Sequence, residues 1–119
     1  MFKYYNANPL GLKVSDCAVR AYSLAMNISW DSAYRELSEE ARIQGYTFTE
    51  MKFLDKFLSE KFEKYKDLKL YRVRDFVEDK SYGVWLITMK DHITCIIDGV
   101  IYDTFNPEDR IIYDIYRVK

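Results

Sequence analysis

Apolar residues in the first half of the chain recur at the three- and four-residue spacing of amphipathic helices. With Ser15 as a candidate N-cap, residues 16–26 are good helix formers, and Asn27 is expected to end this first helix. A second helix is predicted between a cap at Ser29 and a stop at Gly45. Its apolar stripe consists of Trp30, Ala33, Tyr34, Leu37 and Ala41.

A third helix is predicted after Thr47, because Glu50 follows three places later as in a capping box. Apolar residues then recur at helical spacing while lysines and acids occupy the other positions, which is typical of a helix with one solvated face. The segment up to about residue 14 is instead rich in turn formers and predicts an irregular lead-in. The apolar positions of the third helix are Met51, Leu54, Phe57, Leu58 and Phe62.

The second half of the chain changes to strand-like patterns. Residues 68–73 alternate, residues 75–79 fit a helical turn, and residues 82–89 fit a more buried strand. Asp98-Gly99 is a strong signal for a two-residue hairpin turn. Helices followed by strands predict an α+β fold, with an antiparallel sheet packed on the helical half. The remaining predicted strands are residues 92–97 and 100–105, which flank the turn, and residues 111–116.

Composition narrows the possible functions. At 119 residues and 49% hydrophobic content, the chain is expected to form one domain, residues 1–119, with a packed core. The 18 basic and 19 acidic residues give a net charge of -1, which does not favour nucleic acid as a partner. No apolar run is long enough for a membrane span and no secretory signal is evident, so we expect a cytoplasmic protein. The oligomeric state is left open.

The hairpin turn fixes which side chains share a face of the sheet. If Asp98 and Gly99 form the turn, His92 and Asp103 become a diagonal pair on one face, within side-chain reach of each other. Cys95 then points to the opposite face. The sequence therefore predicts that a carboxylate orients the chain's single histidine.

Cys17 is the candidate nucleophile. It falls in the first turn of the first predicted helix, where unpaired N–H groups and the helix dipole lower the pKa of a thiol. A histidinium beside it would stabilise the thiolate further. The Cys17 N–H, with Asn8 or Asn6 as side-chain donors, could stabilise an oxyanion, and Asn106 is an alternative orienting residue. No metal or cofactor is expected, because one histidine and two cysteines on different faces do not form a tetrahedral site.

These segments resemble small, mostly uncharacterised phage and bacterial proteins regarded as papain-like cysteine peptidases. The resemblance extends over most of the chain, and the segments that carry it are Asn8-Pro9, residues 15–21, residues 29–34 and residues 92–106. It implies a papain-like fold, a peptide or protein substrate, and a nucleophile, base and orienting residue at Cys17, His92 and Asp103. Relatives of papain commonly have a glutamine some six residues before the cysteine, where this chain has Gly11.

Structural explanations compete with this hypothesis. A cysteine on an amphipathic helix is more often a packed residue than a nucleophile, and a single histidine is often structural. Asp16 would raise the pKa of the neighbouring thiol if it pointed inward, so we expect it to cap the helix or pair with Arg20. The functions left open are a thiol hydrolase of amide bonds, an acyl transferase that uses the same three residues, and a catalytically silent binding module that engages a host or phage protein.

Overall fold

The three predicted helices are present in the computed structural model, which describes residues 1–119. They are α1 (Cys17–Met26), α2 (Trp30–Gln44) and α3 (Met51–Lys61). Asn27 and Gly45 end the first two in left-handed conformations, with φ of 55° and 80°. The cap predicted at Ser29 is also confirmed, since its hydroxyl accepts a hydrogen bond from the Ser32 N–H.

Two predicted caps are wrong. Ser15 does not cap α1; the N-cap is Asp16, and its carboxylate makes no cap bond because it is engaged by other side chains. The capping box at Thr47 is also absent, because α3 begins one turn later, after Glu50. The Thr47 hydroxyl bonds to the Glu50 carboxylate instead of to the backbone.

Six strands form one sheet in the order β1-β5-β4-β3-β6-β2. Neighbours pair antiparallel except β1 and β5, which run parallel, so the sheet is mixed and the fully antiparallel prediction is wrong. The exception arises because the lead-in, predicted to be irregular, supplies a three-residue strand too short to show a pattern. The strands are β1 (Phe2–Tyr4), β2 (Glu63–Tyr65), β3 (Val84–Met89), β4 (His92–Ile97), β5 (Val100–Asp103) and β6 (Asp114–Arg117).

The predicted hairpin and its register are confirmed. Ile97 pairs with Val100 and Cys95 with Tyr102 across a turn in which Asp98 and Gly99 both have positive φ. An aspartate and a glycine tolerate that conformation at little steric cost. The register of the β4–β5 ribbon could therefore be read from two turn residues.

The strand predicted at residues 68–73 is wrong. Leu68 is fully exposed, and the Asp67 side chain accepts a hydrogen bond from the Lys69 N–H in a local turn. The alternation of apolar residues in this segment does not correspond to burial, so the pattern wrongly predicts a strand. The helical turn predicted at residues 75–79 is confirmed as part of α4 (Val73–Asp79). The last strand begins three residues later than predicted and ends one residue later.

Both faces of the sheet are covered. Helices α1, α2 and α3 pack on one face over a cluster that includes Leu86, Ile93 and Cys95. The short α4 covers the other face, which includes Trp85 and Ile87. None of the four helices has the length and apolar character needed to cross a membrane. Because α1 packs along β4, the start of α1 lies near the hairpin strand that begins with His92.

Candidate active site

Cys17 is the first residue of α1 and is half-buried. Small residues on its helix, Ala18, Ala21 and Ala25, are buried and allow α1 to pack against the sheet. The N–H groups of the first helical turn cannot bond within the helix, and the Asp16 carboxylate does not cap them. The thiol therefore lies at the positive end of the helix dipole.

His92 and Asp103 form the diagonal pair predicted from the hairpin. The imidazole Nε2 lies 2.7 Å from Asp103 Oδ2, and both side chains are almost completely buried. The other carboxylate oxygen, Oδ1, accepts a hydrogen bond from the Thr104 N–H at 2.7 Å. Because Asp103 occupies Nε2, the Nδ1 atom of His92 is the ring nitrogen left for a second partner.

Cys17 lies beside His92, and the two residues line the same depression. Burial raises the pKa of the Cys17 thiol, but a hydrogen bond and charge interaction with His92 outweigh burial and bring the pKa below its ordinary value. The pair thus favours a thiolate beside an imidazolium.

The pKa of His92 shifts in the complementary direction. Burial lowers it, whereas the hydrogen bond to Asp103, the contact with Cys17 and the two negative charges raise it, to about 9. Burial raises the pKa of the Asp103 carboxyl, but His92 lowers it more strongly, so this pKa stays below its ordinary value. All three groups are consequently biased toward their charged forms.

Cys95, the other cysteine, provides a contrast within the same chain. It is fully buried under the helices, and burial raises the pKa of its thiol to about 12. The prediction that it points away from His92 is confirmed, since Cys95 packs in the cluster beneath α1 to α3.

Two side chains that the sequence did not assign to the site, Trp30 and Arg20, extend it around Asp16 and Asp103. Arg20 bonds to Asp16, and its second nitrogen lies 3.5 Å from Asp103 Oδ1. The Trp30 indole donates to the other Asp16 oxygen at 2.9 Å. Helical spacing predicted the Asp16–Arg20 pair, but no local signal connects Arg20 with Asp103 or Trp30 with Asp16.

The asparagines predicted as oxyanion donors bond within the lead-in. The Asn6 side chain accepts from the Asn8 N–H and donates to the Leu12 carbonyl, while the Asn8 side-chain oxygen, Oδ1, accepts from the Leu10 N–H. Neither lines the two depressions that Cys17 borders. The Asn106 side chain accepts from the Glu108 N–H in its own loop, whereas His92 is bonded to Asp103. The Cys17 N–H remains the candidate donor.

Cys17 opens onto two depressions. The smaller, about 130 Å³, includes Ala18, Met51 and Leu54 and is mainly apolar. The larger, about 260 Å³, includes Cys17 with His92, so a substrate group there could contact both. Asp91, the residue before His92, lies at the border of both depressions.

The arrangement unites a thiol biased toward thiolate, a base biased toward imidazolium and a buried carboxylate, beside open space. Those groups can form and hydrolyse a thioester. No three His, Cys, Asp or Glu side chains converge as a metal site would require. Comparison with protein-family models, curated proteins and solved structures finds no match for this chain.

Proposed function

We propose that the protein is a thiol hydrolase of amide bonds, similar in fold and mechanism to papain-like cysteine peptidases. The observation that supports this most directly is the division of His92 between two partners. Its Nε2 is bonded to Asp103 at 2.7 Å, while it also interacts with Cys17 at the mouth of an open depression. A merely structural histidine has no need of a half-buried thiol beside it in an open depression.

In the proposed reaction, the Cys17 thiolate attacks the carbonyl carbon of an amide, and the carbonyl π electrons move to oxygen. The N–H of Cys17 at the start of α1 can donate to that oxyanion. The His92 imidazolium gives its proton to the departing amine, leaving an acyl-thioester on Cys17 and a neutral imidazole.

Hydrolysis then reverses the roles. Neutral His92 takes a proton from water while the water oxygen attacks the thioester carbonyl, and collapse of the intermediate releases a carboxylic acid and the Cys17 thiolate. Throughout, Asp103 keeps the imidazole oriented through Nε2, which favours transfer at Nδ1. Both steps balance with water as the only co-reactant.

The experiment that tests the chemistry is site-resolved alkylation with iodoacetamide at pH 7, read by mass spectrometry. Cys17 should react at least tenfold faster than an ordinary exposed thiol, because more of it is thiolate, while Cys95 stays unlabelled as an internal control. His92→Ala should slow Cys17 labelling severalfold.

Alkylation establishes activation, and turnover establishes hydrolysis. Peptide mixtures incubated with the protein should yield new carboxyl termini, and Cys17→Ala should abolish them. If Cys17 is alkylated slowly and His92→Ala does not change that rate, the hydrolase proposal is rejected. The position of Asn6 and Asn8 outside both depressions at Cys17 would then favour the silent binding module.

A further inference from the structure

An open basin of about 750 Å³ lies beside the candidate active site, between the β3–β4 turn and the segment that follows residue 108. Its lining includes three exposed cations, Arg72, Lys90 and Arg110, and two carboxylates, Asp91 and Asp109. It is larger than either of the depressions that Cys17 borders.

The charges in this basin are not balanced. The Asp109 carboxylate is bonded to Arg74, and the Arg72 guanidinium donates only to the Asp109 carbonyl. Neither Lys90 nor Arg110 forms an ion pair. Three cations therefore face one free carboxylate, Asp91, on a protein whose net charge is -1. Such a local excess of positive charge favours an anionic ligand.

The basin is connected to the reacting groups in two ways. Asp91 borders the basin and also both depressions at Cys17. In addition, the Phe105 ring lies 4.6 Å from the His92 ring, and the Arg110 guanidinium lies 4.8 Å from the Phe105 ring centre. Arg110 is thus at most about 9 Å from the imidazole, the reach of roughly three residues of extended chain.

We propose that the basin binds an acidic side chain of the substrate, within about three residues of the bond that Cys17 attacks. The inference rests on the proposed function, and it defines the substrate class as acidic peptides. Nucleic acid fits less well, because three cations interrupted by Asp91 do not make a continuous track for phosphates.

The test compares two double variants that remove the same charge. Lys90→Gln with Arg110→Gln removes two basin cations, whereas Lys52→Gln with Lys56→Gln removes two exposed cations from the solvated side of α3. Each is treated with a peptide vinyl sulfone carrying Glu, or its Gln counterpart, at the second and third positions from the electrophile.

In the unaltered protein and in the α3 variant, the Glu probe should modify Cys17 about three- to fivefold faster than the Gln probe at low salt, as one or two exposed ion pairs provide. In the basin variant, Cys17 should react with both probes at the same rate, and its rate of alkylation by iodoacetamide should be unchanged. Equal rates in the unaltered protein, or a Glu preference that survives in the basin variant, would overturn the inference.

Binding without chemistry separates this inference from the proposed function. A fluorescent Glu-containing peptide should bind Cys17→Ala more tightly than the Gln peptide, by fluorescence anisotropy. If Cys17 is unreactive but this preference is observed and is lost in the basin variant, the proposed site for an acidic side chain is supported and the proposed hydrolase activity is rejected. Displacement of the peptide by a short oligonucleotide at lower concentration than by free Glu peptide would overturn the assignment to acidic peptides.

Discussion

His92 links the carboxylate to the thiol, so its protonation determines the charge state of the site. Its pKa is raised to about 9, so its contribution to stability is fully present below about pH 6.5 and is lost as pH rises through about 9. Cys17 acts in the opposite sense, because its pKa is lowered: its contribution is lost as pH falls through that lowered value. Between these limits the pair exists as thiolate and imidazolium.

The pKa of His92 can be measured directly, because it is the only histidine. We predict that its imidazole C–H resonances titrate with a midpoint near 9 in NMR spectra. In Asp103→Asn the midpoint should fall clearly below that value, since the carboxylate charge is lost while burial, which lowers the pKa, remains. Thr104→Val, which leaves the Asp103 carboxylate intact, is the control. An unchanged midpoint in Asp103→Asn would show that Asp103 does not hold the proton on His92.

Two ion pairs on helices have the same four-residue spacing but differ in their burial. Asp16 and Arg20 are buried at the start of α1, while Asp31 and Arg35 on α2 are mostly exposed. An exposed pair contributes little to stability, but removal of one member of a buried pair leaves an uncompensated charge.

We predict that Asp16→Ala lowers the free energy of unfolding by about 3 kcal/mol, because Arg20 and the Trp30 indole lose their buried acceptor. Asp31→Ala, the matched control, should cost less than about 1 kcal/mol. Urea denaturation measures both. Similar losses in the two variants would mean that the buried network does not stabilise the start of α1.

The elements differ in how far their sequence determined them. The β4–β5 register and the His92–Asp103 pair follow from Asp98-Gly99, because turn geometry and strand parity are local. The exposed strand-like pattern after Asp67 was misleading, since alternation reports burial only when something packs on the apolar side. The contact of Arg20 with Asp103 joins distant segments and has no local signal.

At the scale of the molecule, β1 covers the edge of the sheet that holds Asp103. The Ile101 N–H donates to the Met1 carbonyl, and the Tyr5 N–H donates to the Asp103 carbonyl, each at 2.8 Å. Without β1, the strand β5 would be an edge strand with unpaired backbone groups. Residues 1–5 therefore stabilise β5, the strand that carries Asp103 of the candidate triad.

We predict that removal of residues 1–5 lowers the free energy of unfolding by about 2 kcal/mol, roughly the value of two backbone hydrogen bonds. Hydrogen exchange should become faster at the Ile101 amide. The amide of Ile87, in a central strand paired on both sides, is the internal control. Unaltered exchange at Ile101, with the fold intact, would contradict this supporting role.

The hairpin has a consequence for how the protein assembles. His92 and Asp103 meet through a two-residue turn, so their contact can form as soon as that ribbon does, whereas Cys17 must arrive on a helix from the other half of the chain. Thiol reactivity should therefore appear late in refolding, when the helical layer docks. Stopped-flow mixing with a thiol reagent during refolding would measure when Cys17 becomes reactive, and hence when that final step occurs.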